Sequence, residues 1–271
     1  MYLEYYGFKA LPFAITSDPS FIFFSRRHQE AFDHLLYGIR QRVGFVEITG
    51  EIGCGKTTLC RALLNHLGED TKTAFIFNSS LTETQLMQTL LHDLGLDPAR
   101  KNRYGLFSEL NRFLIEQLVK GNNVVLIIDE AQNLSIRLLE QVRMLSNLET
   151  EKEKLLQIIL VGQPELRRKL DSPSLRQLRQ RIAVRYHIGP LGPEEIGPYI
   201  RHRIVTAGAN GAGPDFDAEA LEEIGRYSGG VPRLVNILCD KALLLSFVQS
   251  TRRVTRGMVS KSVEEIEGKK P

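Results

Sequence analysis

The sequence predicts an α/β domain built on a parallel sheet, followed by a small helical domain. Strand-like and helix-like stretches alternate up to residue 188, and only helical stretches are expected after it. Val124-Val125-Leu126-Ile127-Ile128 is an unbroken apolar run, which suits a central parallel strand covered on both faces. A glycine-rich segment, Gly50-Glu51-Ile52-Gly53-Cys54-Gly55-Lys56-Thr57, lies between a strand-like run and a helix-like run.

Residues 1–27 are dense in aromatics, and Pro12 and Pro19 break regular structure there. They are expected to form an irregular strap packed on the main domain. Ala31, Leu35, Leu36 and Ile39 recur at helical spacing, predicting a helix from about Arg27 to Arg40. Strands are expected at 45–49, 74–77, 124–128, 157–161 and 182–188, with helices at about 57–67, 86–94, 106–119 and 135–148 between them. Gly189-Pro190-Leu191-Gly192-Pro193 breaks the alternation. Helices are then expected at 194–206, 217–227, 232–248 and 255–266, with Asp217 as an N-cap. Gly208–Gly213 reads as a flexible loop. The expected organisation is a strap at 1–27, a nucleotide-binding α/β domain at 28–190 and a helical lid domain at 193–271.

Composition sets limits on function. With 271 residues, 42% hydrophobic and 25% charged, the chain is an ordinary globular one. Its formal charge of +3 is near balance and gives no general argument for nucleic acid. Cys54, Cys60 and Cys239 are too scattered for a disulfide framework or a zinc site, and read as reduced, small apolar residues suited to the cytoplasm. The N-terminus lacks a signal-peptide pattern, and no apolar run approaches the roughly 20 residues that span a bilayer. The basic end, Gly268-Lys269-Lys270-Pro271, fits either an ordinary tail or a domain boundary before a membrane span.

The chemistry is concentrated in a few places. Residues 50–57 fit G-x-x-x-x-G-K-[ST], in which glycines let backbone N–H groups turn around phosphates at a helix N-terminus. Lys56 is expected to reach the β and γ phosphates, and Thr57 to offer its hydroxyl to magnesium. Asp129-Glu130 closes the apolar strand, where strand ends line the ligand crevice. Asp129 is a magnesium ligand through water, and Glu130 a base for the attacking water. The bland alternative is that they cap a helix. The extra strand at 74–77 between the two motifs points to the additional-strand class of P-loop NTPases. Gln163, just after the strand 157–161, can sense the γ-phosphate, or else cap the helix before Pro164. Arg176, Arg179, Arg181 and Arg185 form a basic stretch. Either they are a solvated face, or one of them, Arg181 or Arg179 foremost, reaches a neighbouring subunit's nucleotide. Arg233, in Gly229-Gly230-Val231-Pro232-Arg233, opens a helix from which its cation can fold onto phosphates.

With these residues placed, the chain resembles the AAA+ ATPases, and within them the general secretion pathway protein A family. The resemblance rests on Tyr6-Gly7-Phe8, Pro12-Phe13, Ser25–Ala31, Gly50–Thr58, Asp129–Gln132, Leu160–Leu166 and Gly229–Arg233. It implies a five-stranded parallel sheet with helices on both faces and a helical lid, binding ATP with Mg2+. It extends the phosphate-binding set to Thr58 and puts Arg26, Arg27 and His28 near the adenine. It further implies a cytoplasmic ATPase; with Arg176, Arg179 and Arg181 placed before the last strand, the isolated chain is expected to be mostly monomeric and to form a homo-oligomeric ring driven by ATP or a partner. Such an ATPase works with a B-protein partner in secretin assembly for type II secretion, and meets the membrane only through parts absent from this chain. Pilus-biogenesis ATPases share the same motifs. So do transposition-type, DNA-associated AAA+ ATPases, but no helix-turn-helix signature follows the small domain. A nucleotide-gated module with little turnover is the third reading, and Glu130 argues against it.

Overall fold

The structure, a computed structural model, describes residues 2–77, 81–99, 102–209 and 213–268. The strands are β1 (Phe45–Gly50), β2 (Thr71–Ile76), β3 (Asn123–Ile128), β4 (Gln157–Gly162) and β5 (Ile182–Ile188), with short β6 (Asp215–Phe216) and β7 (Arg253–Val254). The helices are α1 (Tyr2–Tyr6), α2 (Arg26–Arg40), α3 (Lys56–His66), α4 (Glu83–Asp93), α5 (Arg103–Val119), α6 (Ile136–Leu145), α7 (Pro164–Leu170), α8 (Arg176–Arg181), α9 (Pro193–Thr206), α10 (Ala218–Ser228), α11 (Pro232–Val248) and α12 (Arg256–Ile266). They fall into two compact units. One comprises Gln29–Ile52 and Leu59–Ile188; the other comprises Met1–His28, Gly53–Thr58 and Gly189–Pro271.

The first unit is built on β1 to β5, all parallel, in the spatial order β2-β3-β4-β1-β5. The additional strand that separates the two motif strands in the sheet is β4. The expected strand at 74–77 is observed as β2, at the sheet edge beside β3. Order along the chain does not give order across a sheet. On one face Leu126, Ile128, Ile158 and Leu160 share a core with Leu86 and Leu90 of α4, Leu110 and Leu114 of α5, and Leu139 and Val142 of α6. Alternate residues Val125, Ile127, Ile159 and Val161 point to the other face and are also fully buried. There α2 comes so close that a Cβ on Gly38 would lie 2.5 Å from Cγ2 of Val46. Local capping sets the helix starts: Thr82 and Gln85 form a capping box on α4, and Asn102 and Ser135 cap α5 and α6.

The second unit is helical. Ile196, Tyr199 and Ile200 of α9, Ile224 of α10, Leu238 and Leu243 of α11 and Val259 of α12 form its core. The strap belongs to this core and not to the sheet domain, contrary to the sequence expectation. Tyr6, Phe8 and Phe13 are buried among these helices, and the Tyr6 hydroxyl donates to Oγ of Ser246 at 2.9 Å. Arg203 donates from Nε to the Pro12 carbonyl at 2.6 Å and from Nη2 to the Ala14 carbonyl at 2.9 Å, which satisfies backbone that the prolines keep out of regular structure. The first five residues after Met1 form α1, ahead of both prolines. Asp217 caps α10 as expected, accepting from the Ala220 amide at 2.8 Å. The unit also contains β6 paired with β7, where no strand was expected; two residues are too short for any periodicity to register. The loop expected at 208–213 falls partly outside the described residues, at 210–212, and the basic tail does so at 269–271. Among the described residues no helix is long and apolar enough to cross a membrane.

Gly38→Ala is expected to lower stability by about 1–3 kcal/mol through overpacking against Val46, despite the better helix propensity of alanine. Urea unfolding measures it. A midpoint equal to or above wild type would mean that α2 accommodates the methyl without strain.

Candidate active site

In a parallel sheet every strand ends on the same edge. Here β1 is followed by the glycine loop, β3 by Asp129-Glu130 and β4 by Gln163. With β4 between β1 and β3, the two motif strands end roughly 10 Å apart, at about 4.8 Å per strand spacing.

Gly50 ends β1 where a Cβ would lie 2.7 Å from the Ile188 carbonyl oxygen. Gly53 and Gly55 adopt φ of 82° and 86°, the left-handed region open to glycine. Their Cβ sides are also filled: a methyl on Gly53 would sit 2.6 Å from Cβ of Arg233, and one on Gly55 3.2 Å from Nε2 of His28. The loop's carbonyls are tied on that side. The Arg233 amide donates to the Gly53 carbonyl at 3.2 Å, and His28 Nε2 lies 2.8 Å from the Cys54 carbonyl. A carbonyl can only accept, so Nε2 carries the proton. Nδ1 then accepts from the Ser25 hydroxyl at 2.7 Å. Burial pushes the His28 pKa down, opposed by the bond to Cys54 and by Glu195, and the ring is neutral at pH 7. The loop delivers the chain into α3 at Lys56, so Lys56, Thr57 and Thr58 occupy the first turn, where amides and the helix dipole favour an anion. Lys56 is buried, whereas Glu51 and Ile52 are exposed.

Asp129 is fully buried. Its amide donates to the Ile76 carbonyl at 2.9 Å, and its Oδ1 accepts from the Glu130 amide at 2.9 Å. Glu130 is half-buried at φ 51°, ψ 36°, a left-handed conformation that costs a non-glycine residue about 1–2 kcal/mol. It precedes the 3-10 turn Ala131–Asn133 without a side-chain capping bond. Instead its Oε2 accepts from Nε2 of Gln132 at 2.5 Å and from Nε2 of Gln163 at 3.2 Å. Gln132 Oε1 accepts in turn from the Gln163 amide at 3.1 Å. Gln163 likewise starts α7 without a capping side chain. The family resemblance includes Gln132 without a role for it; it stands two residues after Glu130, within the 3-10 turn that Glu130 precedes. Two further parts of this cluster have no sequence signal. Gly162 leaves room for Gln132, since a Cβ there would lie 2.7 Å from Oε1, and Lys169 Nζ donates to the carbonyls of Gln132 and of Leu134, the latter at 2.8 Å.

The arginines lie elsewhere. α8 runs into β5, whose first residue, Ile182, is in register with Phe45 at the start of β1. Arg176, Arg179 and Arg181 are therefore at the sheet edge opposite Gly50, roughly 20 Å away at about 3.3 Å per residue. Arg181 donates to Oγ of Ser146 at 2.8 Å, Arg179 lies 3.8 Å from Asp171, and Arg176 is exposed. Arg185 pairs with buried Glu47 at 3.2 Å and with Asp171 at 3.4 Å. Arg233, second residue of α11, is exposed beyond its backbone bond to Gly53, and Gly229 and Gly230 are left-handed at φ 55° and 77°. Arg27 donates to the Pro190 carbonyl at 3.2 Å, and the Arg26 amide to Glu195 at 2.9 Å.

As to a metal, Thr57 and Asp129 offer hard oxygen donors, and the described residues hold no group of three or more His, Cys, Asp or Glu side chains able to bind one. Each is a donor of the type Mg2+ takes, and Mg2+ keeps waters and substrate phosphates as ligands, so it needs only one or two protein donors.

Residues 39–170 match a protein family described as an AAA domain. Over 269 residues the chain is 42% identical to General secretion pathway protein A of Aeromonas hydrophila, a match that covers 99% of this chain and 49% of the relative. The chain thus spans about half the length of that protein. Among solved structures it is similar to Cdc6p from Pyrobaculum aerophilum (TM-score 0.67, 18% identity, 89% of this chain and 66% of that one). It is also similar to Aeropyrum pernix ORC2 in its ADPNP-ADP complexes (0.64, 16%, 88% and 66%). The Thermotoga maritima RuvB Holliday junction branch migration motor is a third such neighbour (0.60, 18%, 89% and 69%). At these identities the likeness is one of fold.

Gly162→Ala is expected to destabilise the protein by about 1–3 kcal/mol, because Gln132 and Leu166 close around that position. Chemical unfolding reads it. A neutral result would show that the Gln132 contact to Glu130 gives way freely.

Proposed function

We propose that this chain, which belongs to the AAA+ ATPases and is related over nearly its whole length to general secretion pathway protein A, binds ATP with Mg2+ and hydrolyses it. The observation that carries the reading is Glu130. It follows the carboxyl end of β3 in a strained backbone conformation, on the sheet edge where β1 runs into the glycine loop, and its carboxylate is fixed by Gln132 and Gln163. Strain of this kind persists where the surroundings over-determine it, commonly at functional sites.

In this reading the amides of Gly50–Thr58 and the Lys56 ammonium hold the phosphates. Thr57 and Asp129 hold Mg2+, which when bound neutralises charge on the transferring phosphoryl group. Glu130 takes the proton of the attacking water, and Gln163, bonded to it, registers the γ-phosphate. Arg233 supplies a cation from the helical lid. Arg27 and His28 lie at the base side, His28 acting through the loop. The finger, Arg181 or else Arg179, serves a neighbouring subunit, because its own β1 carries the phosphate loop away from it at the far edge. Such head-to-tail contacts close into rings.

The biological process proposed is secretin assembly in type II secretion, or pilus biogenesis, on the cytoplasmic side of the inner membrane with a B-protein partner. Its support is the 42% identity to General secretion pathway protein A. The DNA-associated alternative rests on likeness of fold alone; salt-dependent binding to duplex DNA would revive it.

Lys56→Ala is expected to lose nucleotide binding by calorimetry. Glu130→Gln is expected to bind ATP at wild-type strength and to lose turnover by 100-fold or more, on the order of a general base's contribution. Wild-type turnover in that variant would remove Glu130 from the chemistry.

Arg181→Ala, or Arg179→Ala, is expected to cut hydrolysis while sparing ATP affinity. Mixed with Glu130→Gln it should recover part of the activity, since each variant lacks a different half of a shared site. No recovery at any ratio, with specific activity independent of protein concentration, would mean that each chain works alone.

A further inference from the structure

The glycine loop is held from behind by His28, the third residue of α2. A loop whose N–H groups converge on an anion must send its carbonyls outward, and each outward carbonyl needs a donor. Two such donors are in place. The Arg233 amide takes the Gly53 carbonyl, and Nε2 of His28 takes the Cys54 carbonyl at 2.8 Å, the shorter of the two bonds. The His28 ring is 4% exposed, and its other nitrogen is occupied by the Ser25 hydroxyl, itself 3% exposed. The Ser25 hydroxyl also accepts from the His28 amide at 3.4 Å, so residue and ring are pinned together. Gly55, at φ 86°, leaves the gap into which the ring fits. Each member is thus explained by the next: the hydroxyl orients the ring, the ring orients the Cys54 carbonyl, and the glycine admits the ring.

We propose that His28 is a positioning residue for the phosphate loop: through Nε2 it fixes the Cys54 peptide so that the loop's N–H groups are set for phosphate before the nucleotide arrives. This inference rests on the ATP-binding reading above and deepens it. His28 touches no reacting atom. Its effect is on binding of the phosphates, through preorganisation of a loop that otherwise orders at the expense of affinity.

The test is calorimetric titration of ADP and of ATP into the chain carrying His28→Phe, His28→Asn or His28→Gln. Phenylalanine fills the ring's space without a donor. Asparagine places an amide near Nδ1 but falls short of Nε2. Glutamine reaches the Nε2 position with an N–H. Phe and Asn are expected to weaken ADP and ATP alike by roughly tenfold, the size of one lost hydrogen bond with its carbonyl left unpaired. Gln is expected to stay within roughly threefold of wild type. Thermal unfolding without nucleotide separates this from a general loss of structure, which would not be repaired by glutamine alone. His28→Phe or His28→Asn, folded and binding ADP as wild type does, overturns the inference and leaves the ATP reading intact. Should His28→Phe fail to fold, equal affinities of the Asn and Gln variants overturn it. Wild-type protein that binds neither nucleotide overturns the ATP reading, and the inference with it.

Discussion

Five strands running the same way bring every strand's carboxyl end to one edge of the sheet, and the chemistry proposed for this protein depends on that edge. Parallel strands need crossovers, and the crossover helices cover both faces. The strands must therefore be apolar on both sides, as Val124–Ile128 are. In β3 the polar pair Asp129-Glu130 comes only after the apolar run, and Gln163 likewise follows the carboxyl end of β4. The order β2-β3-β4-β1-β5 adds the essential spacing: β4 separates the phosphate loop from the acidic pair and contributes Gln163 at its own end.

Local strain and close packing then refine the site. Glu130 holds a left-handed conformation that its neighbours maintain: Asp129 accepts its amide, Gln132 and Gln163 grip its carboxylate, and Lys169 anchors the turn beyond. Gly162 is small so that Gln132 can be where it is. The glycine loop shows the same economy of space: Gly53 and Gly55 leave room for Arg233 and His28. Both clusters place conformational cost next to residues whose position matters most.

Most of the architecture was legible because hydrophobic period and the glycine motif are local signals. The strand Val124–Ile128, the loop Gly50–Thr57 and the cap at Asp217 could each be read within ten residues. What failed to register was non-local. The edge position of β2 and the insertion of β4 follow from pairing across the sheet. The strap's attachment follows from Tyr6 and Phe13 finding the helical core, not from their own spacing. Strands β6 and β7 are too short to leave a pattern. In the site, Asp129, Glu130 and Lys56 were visible as motif letters. The contacts of Gln163 with Glu130 and Gln132, the grip of Lys169 and the reason for Gly162 depend on which groups meet across 30 or more residues of chain. The family resemblance puts His28 near the adenine; its ring nitrogens are bonded to Ser25 and Cys54.

The central claim is magnesium-dependent hydrolysis at this edge. The most direct measurement is phosphate release from ATP by the purified chain, over a range of protein concentrations, with Mg2+ and then with EDTA. The account predicts release over many turnovers with Mg2+, rising in specific activity as protein concentration rises, and none with EDTA. ATP bound tightly in the presence of Mg2+, with no phosphate released at any protein concentration, would contradict it.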